Sequence, residues 1–138
     1  MSGFVLDCSV AVSWCFEDQA TEATDALLEL ARDEGAIVPS VWYLELGNVL
    51  LQAERRGRLS AADTTTALAL INDLPIVVDD ETSLRALRET RTLARAEQLT
   101  SYDAAYLELA MRRGVPLASK ERGLRAAAAR IGVRAIPE

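Results

Sequence analysis

The chain has no histidine, a single lysine and only two cysteines among its 138 residues. Without an imidazole, the serine and cysteine triads, the usual catalytic zinc site and a histidine general base are all excluded. Cys8 and Cys15 fit neither the C-x-x-C redox spacing nor a zinc cluster. They lie in or beside the apolar stretch Val10 to Phe16, where a free cysteine behaves as a small hydrophobe. No apolar run approaches the ~20 residues that a membrane span needs. Met1-Ser-Gly-Phe-Val-Leu meets Asp7 with no basic leader and no small-residue cleavage site, so a cytoplasmic, reduced protein is expected. Positive charge is also scarce: 15 basic against 21 acidic residues give a net charge of −6. Such a chain lacks the global field that drives nonspecific nucleic-acid binding. Aromatics make up 5%, and Trp14, Trp42, Tyr43, Tyr102 and Tyr106 read as core or interface rather than base-stacking platforms.

Half the residues are hydrophobic and 26% charged, an ordinary globular balance. The length predicts one domain over 1–138, judged against about 150 residues per domain, and permits a core without staples. Phe4-Val-Leu6 reads as a short buried strand, and Cys8 to Phe16 as a helix. Ala23, Ala26, Leu27, Leu30 and Ala31 mark an amphipathic helix ending near Gly35. Ile37-Val38 forms a second strand before Pro39. Ser40 is expected to cap a helix from Val41 to Arg56, stopped by Gly57, and Ser60 with Asp63 forms a capping box for a helix through about Asp73. Pro75 to Val78 is a third strand, and a helix is predicted from Glu81 to Ala96. Ser101 is expected to cap a helix to Arg113, closed by Gly114. Val115 to Ala118 gives a fourth strand, Glu121 to Ile131 a last helix, and Val133 to Ile136 a fifth strand. Strands alternating with helices predict a parallel sheet covered on both faces.

Most of the 21 acids belong on solvated helix faces or at caps. Asp7 follows the first strand, where an N-cap for the next helix and a ligand beyond the strand's carboxyl end are both sound readings. Glu45 interrupts the apolar run Val41 to Leu51, where a carboxylate is costly unless paired or bound to a cation; a rim position with a snorkelling side chain is the alternative. Asn48, one turn on, is a candidate hydrogen-bond partner. Asp103 falls in the first turn of its helix, which suits an acid electrostatically, and Glu121 follows the fourth strand. Carboxylates that converge without a cation between them need metal ions or bound protons. A set of oxygen ligands with no His or Cys points to Mg²⁺ or Mn²⁺. Two such ions can clamp the attacking and leaving oxygens of a phosphodiester.

Three segments resemble the PIN-domain nucleases: Val5-Leu-Asp7-Cys-Ser9-Val-Ala-Val-Ser-Trp14, Trp42-Tyr-Leu-Glu45-Leu-Gly-Asn48-Val49, and Leu99-Thr-Ser-Tyr-Asp103-Ala-Ala-Tyr106. A fourth, Pro116-Leu-Ala-Ser119-Lys-Glu121, is similar where the family usually shows Thr or Ser two residues before an Asp. The nearest likeness is to the VapC-type toxins of bacterial type II toxin–antitoxin modules, and it covers the chain from Phe4 to the final strand. The resemblance implies a PIN-like three-layer α/β/α fold with about five short parallel strands, and a metal-dependent endoribonuclease. It implies an acidic quartet of Asp7, Glu45, Asp103 and Glu121 as catalytic metal ligands, with Ser9 and Ser119 as supporting polar groups. It also implies a homodimer and a neutralising antitoxin. The departure is Glu121, one methylene longer than the family's Asp and next to Lys120, which bears on a second metal more than on the first.

Fourteen of the 15 basic residues are Arg. Arg85, Arg88, Arg91 and Arg95 are expected on one face of the 81–96 helix, as a solvated face or a phosphate-contacting stripe. Arg122 and Arg125 are better placed to hold RNA near the metals. One rival is a haloacid-dehalogenase-like phosphatase, which needs Asp-x-Asp after the first strand, and here Ser9 holds the second position. The other is a catalytically impaired PIN domain acting as an RNA- or protein-binding module, kept open by Glu121.

Overall fold

The strands are short and the sheet is narrow. The computed structural model describes residues 3–138, and in it β1 (Phe4–Leu6), β2 (Ala36–Val38), β3 (Ile76–Val78), β4 (Leu117–Ala118) and β5 (Ala135–Ile136) form one sheet in the order β3-β2-β1-β4-β5. Every pairing is parallel. Val5 is opposite Ile37 on one side and Leu117 on the other, so β1 is central. Its three residues are fully buried, as expected for a parallel strand covered on both faces. The chain builds outward from β1 to β3, then returns to add β4 and β5 on the opposite side. That reversal creates a switch point between β1 and β4, directly beyond the carboxyl end of β1, where open α/β sheets place their ligands.

The connections are helical: α1 (Cys8–Cys15), α2 (Glu22–Glu34), α3 (Trp42–Arg55), α4 (Ala61–Asn72), α5 (Thr82–Arg85), α6 (Glu89–Glu97), α7 (Ser101–Arg113) and α8 (Arg122–Ile131). Helices α1 to α4 pack among themselves, as do α6, α7 and α8, while α7 lies against β1 and β4. The expected α/β architecture with a five-stranded parallel sheet is the observed one. No described helix is long and apolar enough to cross a membrane. Gly35 ends α2 with φ +76°, and a Cβ there would sit 3.0 Å from the Pro75 carbonyl. Both its backbone and its surroundings therefore require glycine.

Several boundaries differ from the sequence reading. Ser40 does not cap α3: the helix begins at Trp42, whose N–H donates to the Pro39 carbonyl, and the Ser40 N–H instead binds Thr82 Oγ1. Thr100, not Ser101, caps α7, its hydroxyl accepting the Asp103 N–H at 3.1 Å. The predicted helix over 81–96 is broken into α5 and α6, with Arg88 at φ −116° and ψ −103°. Two separate anchors account for the break. Thr82 ties α5 to Asp79 and Ser40, whereas α6 packs along α7. The arginines at 85, 88, 91 and 95 therefore share no single helix face. The capping box of Ser60 and Asp63 forms as expected.

Candidate metal centre

Asp7 directly follows β1 and is 4% exposed. It occupies the N-cap position of α1, yet its side chain makes no capping hydrogen bond. Its Oδ2 instead accepts from Ser9 Oγ at 2.8 Å and from Ser119 Oγ at 2.7 Å, leaving Oδ1 without a protein donor among the described residues. The two serines also fix the loop after β4. Ser9 Oγ accepts the Lys120 N–H at 2.9 Å, and Ser119 Oγ accepts the Glu121 N–H at 3.0 Å. The ends of β1 and β4 are thus stitched together around one carboxylate.

Glu45 stands on α3, half-buried, and its Oε1 accepts from Tyr106 Oη at 2.8 Å. Asp103 is half-buried in the first turn of α7, while Glu121 is exposed at the start of α8 with no side-chain cap bond. All four acids line one open cleft of about 510 Å³, together with Ser9, Asn48, Lys120 and the apolar Val12 and Val49. Asn48 is exposed on the cleft wall and makes no hydrogen bond to Glu45 among the described residues. None of the four acids takes part in an ion pair among the described residues.

The electrostatic consequence is the same for Asp7, Glu45 and Asp103. Burial raises the Asp7 pKa above its ordinary value, the serine hydrogen bonds oppose this, and Asp103 and Glu121 add to it. Burial likewise raises Glu45, against the Tyr106 hydrogen bond and with help from Asp7 and Asp103. Asp103 is raised by burial and by Glu121. Cys8, on the cleft wall, is pushed up to about 12 by burial and by Glu45 and Asp7. Three acids held in a state that disfavours their charge, with no internal cation, form a donor set that a divalent cation would satisfy. Their oxygens are loosely spaced: no three of the four bring one oxygen each within 4.8 Å of one another. An ion held here would keep part of its water shell, as Mg²⁺ characteristically does.

A tighter acidic group, which sequence reasoning missed, lies elsewhere. Asp79, Asp80 and Glu81 each bring an oxygen within 4.8 Å of the others. Arginines neutralise two of them: Arg112 binds Asp79 through both terminal nitrogens, and Arg85 binds Glu81 at 2.9 Å. Burial alone would raise Asp79, but hydrogen bonds from Arg112 and Thr82 outweigh it and hold the carboxyl below its ordinary value. The chemistry of this group is that of an ion-pair network. Helical spacing from Glu108 to Arg112 was the available signal.

The two arginines expected to contact RNA have different settings. Arg122 is exposed at the start of α8. Arg125 is turned inward, donating to the carbonyls of Ser119 and Pro137. It braces the loop that carries Ser119, so its guanidinium is already engaged by the fold.

Residues 4–130 match the protein family described as the PIN domain. No curated protein matches the chain. Among solved structures, the chain is similar to the crystal structure of PAE2754 from Pyrobaculum aerophilum, with a TM-score of 0.72 and 21% identity. That alignment covers 98% of this chain and 91% of the other, and it supports the fold.

Proposed function

The chain belongs to the PIN-domain family, whose members are generally metal-dependent nucleases, and we propose that it is a Mg²⁺- or Mn²⁺-dependent endoribonuclease. The observation that carries the proposal is Asp7. It is buried, unpaired with any cation among the described residues, hydrogen-bonded through one oxygen only, and placed at the sheet's switch point beside three further carboxylates. Asp7, Glu45 and Asp103 would hold the first ion, with Glu121 contributing from the rim. When bound, the ion neutralises charge on a phosphodiester and makes water a nucleophile near neutral pH. Ser9 and Ser119 keep Asp7 in one orientation. Val12 and Val49 give the cleft an apolar wall, and Lys120 in its lining and the exposed Arg122 at the start of α8 offer positive charge to the RNA backbone where the acidic chain otherwise repels it.

The chain also reads as the toxin of a type II toxin–antitoxin module, acting as a homodimer and neutralised by a cognate antitoxin. Its support is the four-motif likeness to VapC-type toxins and a cleft with unpaired negative charge, which an arginine from an antitoxin segment would complement.

The test is purified chain, free of any antitoxin, incubated with total RNA and Mg²⁺ or Mn²⁺. Cleavage is expected with either ion and should vanish in EDTA and in Asp7→Asn. Equal cleavage by Asp7→Asn, or in EDTA, would remove the metal-nuclease reading. RNA binding without cleavage by the wild type would favour the binding-module alternative. Induced expression in a bacterial host should arrest growth for the wild type and not for Asp7→Asn. Unimpaired growth with active enzyme present would overturn the toxin assignment alone.

A further inference from the structure

Two of the cleft acids share one arrangement, in which one oxygen is held by side-chain hydroxyls and the other has no protein donor among the described residues. Serines do this for Asp7. For Glu45 the donor is Tyr106, 61 residues further along the chain, at 2.8 Å. Tyr106 lies on α7 three residues after Asp103, and it is fully buried. The helix that supplies one carboxylate therefore also constrains another on α3.

Glu45 needs such a constraint. It stands half-exposed on α3, with three side-chain torsions to fix, apolar Leu44 and Val49 beside it and no hydrogen bond from Asn48 among the described residues. The tyrosine ring is enclosed by the core between α7 and the sheet, so its hydroxyl position is set by packing rather than by solvent. A buried tyrosine hydroxyl requires a partner, and a main-chain carbonyl would satisfy it equally well. Its partner here is a carboxylate on the wall of the cleft, carried by a different element.

We propose that Tyr106 is a positioning residue for Glu45: its buried hydroxyl fixes Oε1 so that Oε2 is presented to a divalent cation in the cleft. The inference rests on the metal-dependent reading above and adds a residue to it. Loss of the hydroxyl frees the Glu45 side chain without removing its charge, so metal affinity falls while the chemistry of the loaded site persists.

The experiment uses EDTA-treated full chain in four forms: wild type, Tyr106→Phe, Glu45→Gln, and both together. Calorimetric titration with Mn²⁺ should show a dissociation constant about 10-fold higher for Tyr106→Phe, the lower end of what removing a ligand's hydrogen-bond partner costs. In RNA cleavage the Mn²⁺ concentration for half-maximal rate should rise by a similar factor, with kcat at saturating Mn²⁺ within about threefold of wild type. In the Glu45→Gln background, Tyr106→Phe should add no further loss of Mn²⁺ affinity. Unchanged Mn²⁺ affinity in Tyr106→Phe would overturn the proposal, as would additive losses in the double variant. A Tyr106→Phe chain that fails to fold while Glu45→Gln folds would also overturn it, by making the hydroxyl structural. A wild type that binds no Mn²⁺ would remove the nuclease reading and this inference together, whereas normal wild-type binding with an indifferent Tyr106→Phe removes only the inference.

Discussion

Arg112 grips the buried carboxylate of Asp79 with two hydrogen bonds, Nη1 to Oδ1 at 3.0 Å and Nη2 to Oδ2 at 2.9 Å, tying the end of α7 to the residue after β3. Glu108, one turn earlier on α7, accepts from the same guanidinium, and Thr82 donates to the same aspartate. Sheet edge, α5 and α7 therefore meet at one arginine.

Arg112→Met should accordingly destabilise the protein by about 3 kcal/mol at pH 7, because it removes both close guanidinium bonds to the buried Asp79 and leaves it only the more distant Arg113 at 3.7 Å. The loss should depend on pH. Asp79 has a lowered pKa when folded, so its contribution is present above the unfolded value of about 3.9 and is lost as pH falls through the folded one. Urea unfolding of both proteins should show the difference shrinking between pH 7 and pH 3. A constant difference would mean that the arginine acts through packing alone.

Asp7 behaves in the opposite sense. Its folded pKa is raised, so the stability it contributes is present below the unfolded pKa and is lost as pH rises through the folded one. The groups facing it are Glu45, Asp103 and Glu121 on the acidic side and Lys120 on the basic side. In EDTA at pH 7.5, Asp7→Asn should melt about 3 °C higher than wild type, the equivalent of about 1 kcal/mol in a chain of this size, and the gain should disappear near pH 4. Mn²⁺ should stabilise the wild type and leave Asp7→Asn unmoved. A lower melting temperature for Asp7→Asn in EDTA would show that the serine hydrogen bonds, not charge, dominate at this position.

Glu121 is exposed and carries no hydrogen bond through its side chain among the described residues. Glu121→Ala is expected to reduce RNA cleavage by about 10-fold, in the range of an outer ligand group, against near-complete loss for Asp7→Asn. Single-turnover rates at saturating Mn²⁺ would measure both. Equal losses would make Glu121 a full member of the metal site.

The neighbouring arginines should separate cleanly. Arg122→Ser is expected to leave the melting temperature unchanged and to lower the slope of log affinity against log salt by about 0.7 for single-stranded RNA, one phosphate contact. Arg125→Met should cost about 2 kcal/mol of stability, since it removes two charge-assisted hydrogen bonds. Thermal melts and salt-dependent RNA titrations read the two effects independently.

Much of this architecture was legible in the chain because strands and helices alternate with clear stops at Gly35, Gly114 and Gly132, each at a helix C-cap with positive φ. Asp7 and Glu121 could be singled out because each follows a strand, and Glu45 because it breaks an apolar run, whereas Asp103 obeys the helix-start rule and stands out only through the motif around it. Their company could not. Whether Asp7 caps α1 or faces a cleft depends on Ser119, 112 residues away. The break at Arg88 has no proline or glycine to announce it, because tertiary anchors at Thr82 and along α7 impose it. Arg125 looked available for RNA because two carbonyl partners, one of them at Pro137, leave no trace in spacing or composition.

The sheet order has a further consequence, for the chain during its synthesis. Asp7 and Glu45 come from the first third of the sequence and Asp103 and Glu121 from its last third, and β4 must enter the sheet beside β1 before Ser119 can reach Asp7. A nascent chain that has made only β1 to β3 therefore holds half a cleft, open on the side where β4 belongs. Whatever reaction the finished cleft performs is withheld from the ribosome building it until β4 and the start of α8 have emerged and docked.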